Sequence, residues 1–176
     1  GYGPHYNIVG KLKGHGNPDK SIIISGHYDT VMTAGFVDNG AGTAGIIELA
    51  RIFIETAKKG VYNSDYTIIF IAFASEELGL VGSTNYVMHH KAEMNNIVAV
   101  INLDCIGSDI LSIAPTNPSE SLDLDELILK AAGDLNISAT LTEPGGSDQE
   151  VFRNPMGADV PPVESSTMLA SYPLLY

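Results

Sequence analysis

The sequence is poor in cysteine and in basic residues, and both shortages limit what the protein can do. Its 176 residues include one cysteine, Cys105, which excludes an internal disulfide framework and a cysteine-rich zinc module. Any metal site must therefore use histidine and carboxylate side chains. Nine Lys and Arg face 21 Asp and Glu, a formal net charge of −12 that opposes binding to nucleic acid or to an anionic membrane surface.

Long apolar runs and linkers are also missing. The longest apolar stretches, such as residues 68–74, are far shorter than the roughly 20 residues that cross a bilayer, so we expect no membrane-spanning segment. No repeat, charge block or low-complexity run divides the chain. Residues 1–6 lack the basic region followed by an apolar region that is typical of a signal peptide. With 44% apolar residues, residues 1–176 are predicted to form a single domain.

Hydrophobic periodicity predicts alternating strands and helices. Residues 6–13 alternate between apolar and polar side chains, as an edge strand does. Unbroken apolar runs predict three strands buried on both faces, at 21–25, 67–74 and 97–104. Helices are predicted at 46–57, 80–91 and 122–135, followed by a short strand at 137–141. This order predicts an α/β sandwich with a largely parallel central sheet flanked by helices.

Acidic residues and one histidine follow the ends of the predicted buried strands. His27 and Asp29 follow the first strand, Glu76 and Glu77 follow the second, and Asp104 ends the third. Binding sites in such sheets gather beyond the carboxyl ends of the strands. We therefore expect these side chains to form one site.

The number of carboxylates in this site favours a bound metal ion. Adjacent carboxylates repel one another unless a cation or a proton compensates, and Asp38, in a glycine-rich turn before the first long helix, adds another. Each residue alone has a structural explanation, because strand ends are polar and Asp38 or Asn39 could cap the helix. A set of nitrogen and oxygen ligands favours zinc, with manganese or cobalt as alternatives, and a bridging carboxylate suits two metals.

Four segments resemble the co-catalytic di-zinc aminopeptidases in order and spacing. They are Gly-His-Tyr-Asp-Thr-Val at 26–31, Asp-Asn-Gly-Ala-Gly at 38–42, Phe-Ala-Ser-Glu-Glu-Leu-Gly-Leu-Val-Gly-Ser at 73–83 and Asn-Leu-Asp at 102–104. This family includes bacterial leucine aminopeptidases and, more distantly, glutamate carboxypeptidase II and glutaminyl cyclases. The resemblance covers nearly the whole chain, and it implies a three-layer sandwich of the zinc exopeptidase type with a mostly parallel mixed sheet.

The resemblance assigns ligands for two zinc ions. It makes His27 and Asp104 ligands of one zinc, Asp38 the carboxylate that bridges both ions, and Glu77 a ligand of the second zinc. It also implies a cis peptide bond between Asp38 and Asn39.

The resemblance also implies roles for residues that do not bind metal. Glu76 would be the general base that takes a proton from the metal-bridging water and passes it to the leaving amine. Asp29 matches the acid that orients the ligand imidazole and raises its basicity. Tyr176 stands where several members have a tyrosine that hydrogen-bonds the tetrahedral oxyanion, and the alternative is a buried aromatic residue near a chain end.

Residues 144–152 resemble the loop that lines the substrate pocket of this family. Many members have Ser-Asp-His there, and Gln149 takes the place of that histidine. Gly146, Ser147 and Asp148 are therefore candidates for substrate binding, with a plain turn before a helix as the alternative.

The fifth protein ligand of the family, a histidine late in the chain, has no counterpart in this sequence. No histidine follows His90. We expect the sequence to stop just before that ligand and to be incomplete at both ends, and the alternative is a protein that lacks the ligand. His5, His15, His89 and His90 are not expected to replace it.

The sequence thus predicts a zinc-dependent aminopeptidase that hydrolyses the N-terminal peptide bond of peptides with an apolar or uncharged first residue. The alternatives are a carboxypeptidase or another amide hydrolase on the same scaffold, and a non-catalytic domain. An acidic substrate is disfavoured because the chain has only two arginines, Arg51 and Arg153. A glutaminyl cyclase is disfavoured because that branch uses one zinc. Secretion is common in the family and favours an extracytoplasmic location, whereas the oligomeric state is not predicted.

Overall fold

The computed structural model describes residues 3–107, 110–115, 122–143, 145–157 and 159–171. Its strands are β1 Ile8–Leu12, β2 Asn17–His27, β3 Tyr66–Phe73, β4 Ile97–Leu103, β5 Leu111–Pro115, β6 Ala139–Leu141 and β7 Ser166–Ala170. Its α-helices are α1 Gly42–Lys58, α2 Val81–His89, α3 Leu122–Asp134 and α4 Glu150–Arg153. A helical turn at Phe36–Ala41 precedes α1, and a 3-10 helix at Lys91–Asn96 follows α2.

The described strands form one mixed sheet in the order β1-β3-β2-β4-β7-β5-β6. Strands β3, β2, β4 and β7 are parallel to one another, β1 and β5 pair antiparallel with β3 and β7, and β6 is parallel to β5. The predicted α/β fold with a mostly parallel mixed sheet is therefore confirmed. Because β2, β3 and β4 are adjacent and parallel, their carboxyl ends lie at the same edge of the sheet.

Alternating side chains of the central strands fill two cores, one on each face of the sheet. Ile23, Ile71 and Phe73 pack with residues of α2 and α4 on one face. Ile24 and Phe70 pack with residues of α1 on the other face. The result is three layers, in which helices cover a sheet whose central strands are buried on both sides. Among the described residues, no helix has both the length and the apolar character needed to cross a membrane.

The strands and helices that were predicted are present, with shifted bounds. The predicted edge strand is β1, and β2 is longer than expected, so that His27 is its last residue. Two strands, β5 and β7, were not predicted. β7 has the sequence Ser-Thr-Met-Leu-Ala, in which polar residues occupy buried positions beside β4, so it lacks the apolar run of a central strand.

Candidate metal centre

His27 is the buried centre of a cluster of carboxylates at the carboxyl edge of the sheet. Its side chain is only 1% exposed, and its Nε2 lies 3.2 Å from Asp38 Oδ1 and 3.4 Å from Asp104 Oδ1. Its Nδ1 lies 3.1 Å from the main-chain oxygen of Asp29, which can accept a hydrogen bond from it. In the neutral imidazole, this bond places the proton on Nδ1 and leaves the lone pair of Nε2 directed toward the two carboxylates.

The donor set fits a zinc ion. The ligand atoms of His27, Asp38 and Asp104 all lie within 4.8 Å of one another. In a tetrahedral site with metal–ligand bonds of about 2.0–2.1 Å, ligand atoms are about 3.3 Å apart, close to the distances around Nε2. Asp104 Oδ1 is buried and has no hydrogen-bond partner among the described residues. A cation between these three groups would satisfy that oxygen.

Glu76 and Glu77 differ in their relation to the cluster. Glu76 Oε2 lies 3.9 Å from His27 Nε2, whereas Glu77 Oε1 accepts a hydrogen bond of 3.3 Å from the Val31 main-chain N–H. Glu77 does not belong to the group of converging ligand atoms that the described residues form. The separation comes from a turn, because β3 ends at Phe73 and the following residues leave the strand conformation.

Asp29 fixes the turn that carries both glutamates. Its carboxylate oxygens accept hydrogen bonds from the main-chain N–H groups of Glu76, at 3.0 Å, and Glu77, at 3.2 Å. Asp29 Oδ1 also lies 3.6 Å from His27 Nδ1. The Asp29 main-chain oxygen is thus the hydrogen-bond partner of the imidazole, and its carboxylate connects the end of β2 to the turn after β3.

Asn39, which the sequence suggested only as a possible helix cap, also binds the segment that carries Asp104. Its buried side chain accepts hydrogen bonds from the N–H groups of Gly42 and Cys105, and its Nδ2 donates to the Leu103 carbonyl. The last two bonds bracket Asp104, and Asn39 itself follows Asp38 through a cis peptide bond, as expected. Asn39 thus fixes two candidate ligands relative to each other.

Backbone segments come so close together around Asn39 that two positions must be glycine. These glycines are the sequence feature that could have indicated the contacts of Asn39. A Cβ atom on Gly42 would collide with the Asn39 side chain and with the Leu103 carbonyl oxygen, and one on Gly26 would collide with the same carbonyl. Glycines beside His27 and at the start of α1 therefore indicate that the backbone segments approach one another here.

The predicted substrate loop, residues 144–152, is partly buried in the protein interior next to the cluster. Gly146 is exposed, whereas Ser147 and Asp148 are fully buried. Ser147 Oγ accepts a hydrogen bond of 3.0 Å from Asn102 Nδ2, and Asn102 Oδ1 accepts one of 2.8 Å from Ser25 Oγ. These bonds join the loop to β4 and β2, next to Asp104.

The remaining candidates lie elsewhere. Tyr176 is outside the described residues. His5 contacts Ser75, and the Nδ1 atoms of His89 and His90 face main-chain oxygens of α2. None of the described histidines other than His27 belongs to the cluster of ligand atoms.

The cluster shifts the pKa values of its members. Burial by itself lowers the pKa of His27, but the Asp104 carboxylate, 3.4 Å from Nε2, together with the charges of Glu76 and Asp148, raises it to about 9. Burial raises the pKa of Glu76 to about 7, against the opposing effect of His27. Burial also raises the pKa of Asp148 to about 7. In the metal-free cluster, a protonated imidazole thus provides the positive charge between the carboxylates.

Comparison with known proteins identifies the family. The sequence profile of Peptidase family M28 matches residues 7–162. This chain belongs to Peptidase family M28. The resemblance inferred from the four motifs is therefore confirmed.

Relatives of this M28 chain include zinc aminopeptidases and carboxypeptidases. A zinc aminopeptidase from Bacillus subtilis has a TM-score of 0.76 and 31% identity, over 93% of this chain and 39% of that one. A probable glutamate carboxypeptidase of Arabidopsis thaliana is 34% identical over 154 residues, covering 84% of this chain and 22% of the relative. A probable zinc metalloprotease of Pyrenophora tritici-repentis is 38% identical over 120 residues, covering 63% and 26%. The matched regions thus span roughly a quarter of the length of these two curated relatives.

The raised pKa of His27 gives the M28 cluster a characteristic pH dependence. Zinc binds the neutral imidazole, so a proton must leave His27, whose pKa is about 9. The apparent zinc affinity is expected to rise about tenfold per pH unit between pH 7 and 8.5. Competition titrations with a zinc chelator at a series of pH values measure this. A plateau from pH 7 upward, as for a histidine with a pKa of 6.5, would contradict the electrostatic account.

Proposed function

We propose that this M28 chain is the catalytic domain of a zinc-dependent aminopeptidase, which hydrolyses the N-terminal peptide bond of peptides. The observation that carries the proposal is the convergence of His27, Asp38 and Asp104, with a buried carboxylate oxygen of Asp104 that lacks a partner among the described residues. Glu76 lies beside this cluster. The similarity to the Bacillus subtilis zinc aminopeptidase supports the same function.

His27, Asp38 and Asp104 would hold the zinc ion. When bound, zinc supplies Lewis-acid polarisation of the scissile carbonyl group and lowers the pKa of water at the site. Asp29 holds the imidazole through its main-chain oxygen, and Asn39 keeps Asp38 and Asp104 in place.

Glu76 would act as the general base. It accepts a proton from the attacking water and returns this proton to the nitrogen of the leaving amine. Burial raises the pKa of Glu76 to about 7, near the value that suits both steps at neutral pH. Its position beside His27 Nε2 and its partly buried environment both suit this role.

Asp38 and Glu77 would serve a second zinc ion. Asp38 Oδ1 lies beside His27 Nε2, and the Asp38 side chain is 51% exposed. Its second carboxylate oxygen would therefore be accessible to another metal ion. Glu77 follows Glu76 in the turn that Asp29 holds, and its carboxylate accepts a hydrogen bond from the Val31 N–H. A different side-chain rotamer of Glu77 would break this bond and make the carboxylate available to a metal ion. The family resemblance implies a histidine as the remaining ligand of this second ion.

A carboxypeptidase is the second candidate, because the Arabidopsis thaliana relative carries that name. A pocket for acidic side chains would need an unengaged arginine. Arg51 forms ion pairs with Glu48 and Glu55 on the surface of α1, at 2.5 and 2.9 Å. Arg153 pairs with Glu164 at 3.6 Å. These pairs favour a substrate with an apolar or uncharged first residue.

Replacing Glu76 by glutamine tests the general base. Glu76→Gln keeps the shape of the side chain but cannot accept the proton, so kcat is expected to fall about 10²-fold or more, while zinc content stays unchanged. The control is Glu126→Gln, which changes an exposed glutamate on α3. Steady-state kinetics and elemental analysis give the two readouts, and wild-type turnover in Glu76→Gln would remove this residue from the base role.

Blocking the substrate N-terminus tests the class of peptidase. An aminopeptidase requires the free ammonium group of its substrate, whereas a carboxypeptidase requires a free carboxylate. Leucyl-p-nitroanilide is expected to be hydrolysed at least about 100-fold faster than its N-acetylated form, which loses the charged group that an acidic site binds. Equal rates on both compounds, or release of C-terminal residues from N-acetylated peptides, would favour the second candidate.

A further inference from the structure

The turn that carries Glu76 and Glu77 belongs to the loop of residues 74–82. The two ends of this loop, Ala74 and Gly82, lie against each other, and we call this contact the neck. Inside the loop, the Gly79 and Leu80 N–H groups donate to the Glu76 carbonyl, each at 2.8 Å. At its base, the backbones of Ala74 and Gly82 are in contact, because a Cβ atom on Gly82 would collide with the Ala74 carbonyl oxygen. The place of the two glutamates therefore depends on how this neck is held.

Asn7, almost 70 residues earlier in the chain, joins the two sides of the neck. Its Oδ1 accepts a hydrogen bond of 3.1 Å from the Ala74 N–H, and its Nδ2 donates one of 2.8 Å to the Gly82 carbonyl. An amide side chain has an acceptor and a donor at the same distance from the backbone. Aspartate has the same shape but lacks the donor, so it cannot make both bonds.

The segment around Asn7 is itself attached to the metal-site loops. Tyr28, the residue after His27, donates a hydrogen bond of 2.8 Å from its hydroxyl to the Tyr6 carbonyl. His5 contacts the hydroxyl of Ser75, which adopts a left-handed backbone conformation with φ of 60° just before Glu76. A residue with a side chain is strained in this conformation and persists there only when its surroundings hold it.

Asn7 therefore lies, just before β1, where the end of β3 and the start of α2 meet. We infer that Asn7 is a positioning residue: its amide closes the neck at Ala74 and Gly82, and this closure sets the places of Glu76 and Glu77 in the metal centre. The roles of those two glutamates rest on the proposed function. The closure of the neck does not.

Hydrogen exchange tests the clamp without metal or substrate. In Asn7→Ala, amides of residues 76–81 are expected to exchange about tenfold faster, because two hydrogen bonds at the base of the loop are lost. Exchange in residues 21–25 of the same variant is expected to stay unchanged. The control variant is Asn63→Ala, which alters an exposed asparagine before β3, and its exchange is expected to match wild type in every segment. Unchanged exchange in 76–81, or equal acceleration in every segment, would overturn the inference.

The isosteric variant separates hydrogen bonding from space filling. Asn7→Asp keeps the volume but places a negative oxygen against the Gly82 carbonyl, so it is expected to exchange as fast in residues 76–81 as Asn7→Ala. Wild-type exchange in Asn7→Asp would contradict the bonding role.

Kinetics then tests the consequence for Glu76. In both variants, kcat on an aminoacyl substrate is expected to fall about tenfold, with KM changed less than about twofold, because the base is displaced while the zinc cluster stays intact. Zinc affinity at His27, Asp38 and Asp104 is expected to stay within about twofold of wild type. A normal kcat beside faster exchange would overturn the positioning role. If the wild-type protein hydrolyses no peptide, the proposed function fails, and the exchange pattern still decides whether Asn7 holds the loop.

Discussion

The candidate metal centre depends on the electrostatic interaction between one buried imidazole and the carboxylates around it. His27 Nε2 faces Asp38, Asp104 and Glu76 at distances of 3.2, 3.4 and 3.9 Å. Burial disfavours a charged imidazole, yet the neighbouring carboxylates raise the pKa of His27 to about 9. Such a cluster needs positive charge at its centre. Protons provide it in the metal-free protein, and a divalent ion would provide it more fully, since Asp104 Oδ1 would gain a partner.

Hydrogen bonds from side chains keep these carboxylates together in spite of their repulsion. Two of the segments that carry an acid are bonded to a polar side chain from another part of the sequence. Asp29 binds the main chain of Glu76 and Glu77, and Asn39 binds the main chain on both sides of Asp104. Because these bonds belong to the fold, they hold His27, Asp38 and Asp104 close together without a bound ligand. The parallel arrangement of β2, β3 and β4 makes this possible, because it brings their carboxyl ends to one edge.

Much of this arrangement could be predicted from the sequence, because the central strands are apolar runs followed directly by acids. The convergence of His27 with Asp104 follows from parallel pairing of two such strands. The direction of Glu77 could not be predicted, since it depends on a turn that interrupts the alternation of strand side chains. Burial of Ser147 and the bonds of Asn39 to Leu103 and Cys105 could not be predicted, because hydrogen bonds between segments distant in sequence leave no periodic pattern. Gly26 and Gly42 indicate only that backbone segments come close together here.

The proposed zinc site consists of His27, Asp38 and Asp104. Anomalous diffraction from crystals grown with zinc, recorded above and below the zinc absorption edge, tests it most directly. We predict a peak within about 2.0–2.2 Å of His27 Nε2 and of one oxygen each of Asp38 and Asp104. Zinc bound only at other residues, or no peak at saturating zinc, would contradict this proposal.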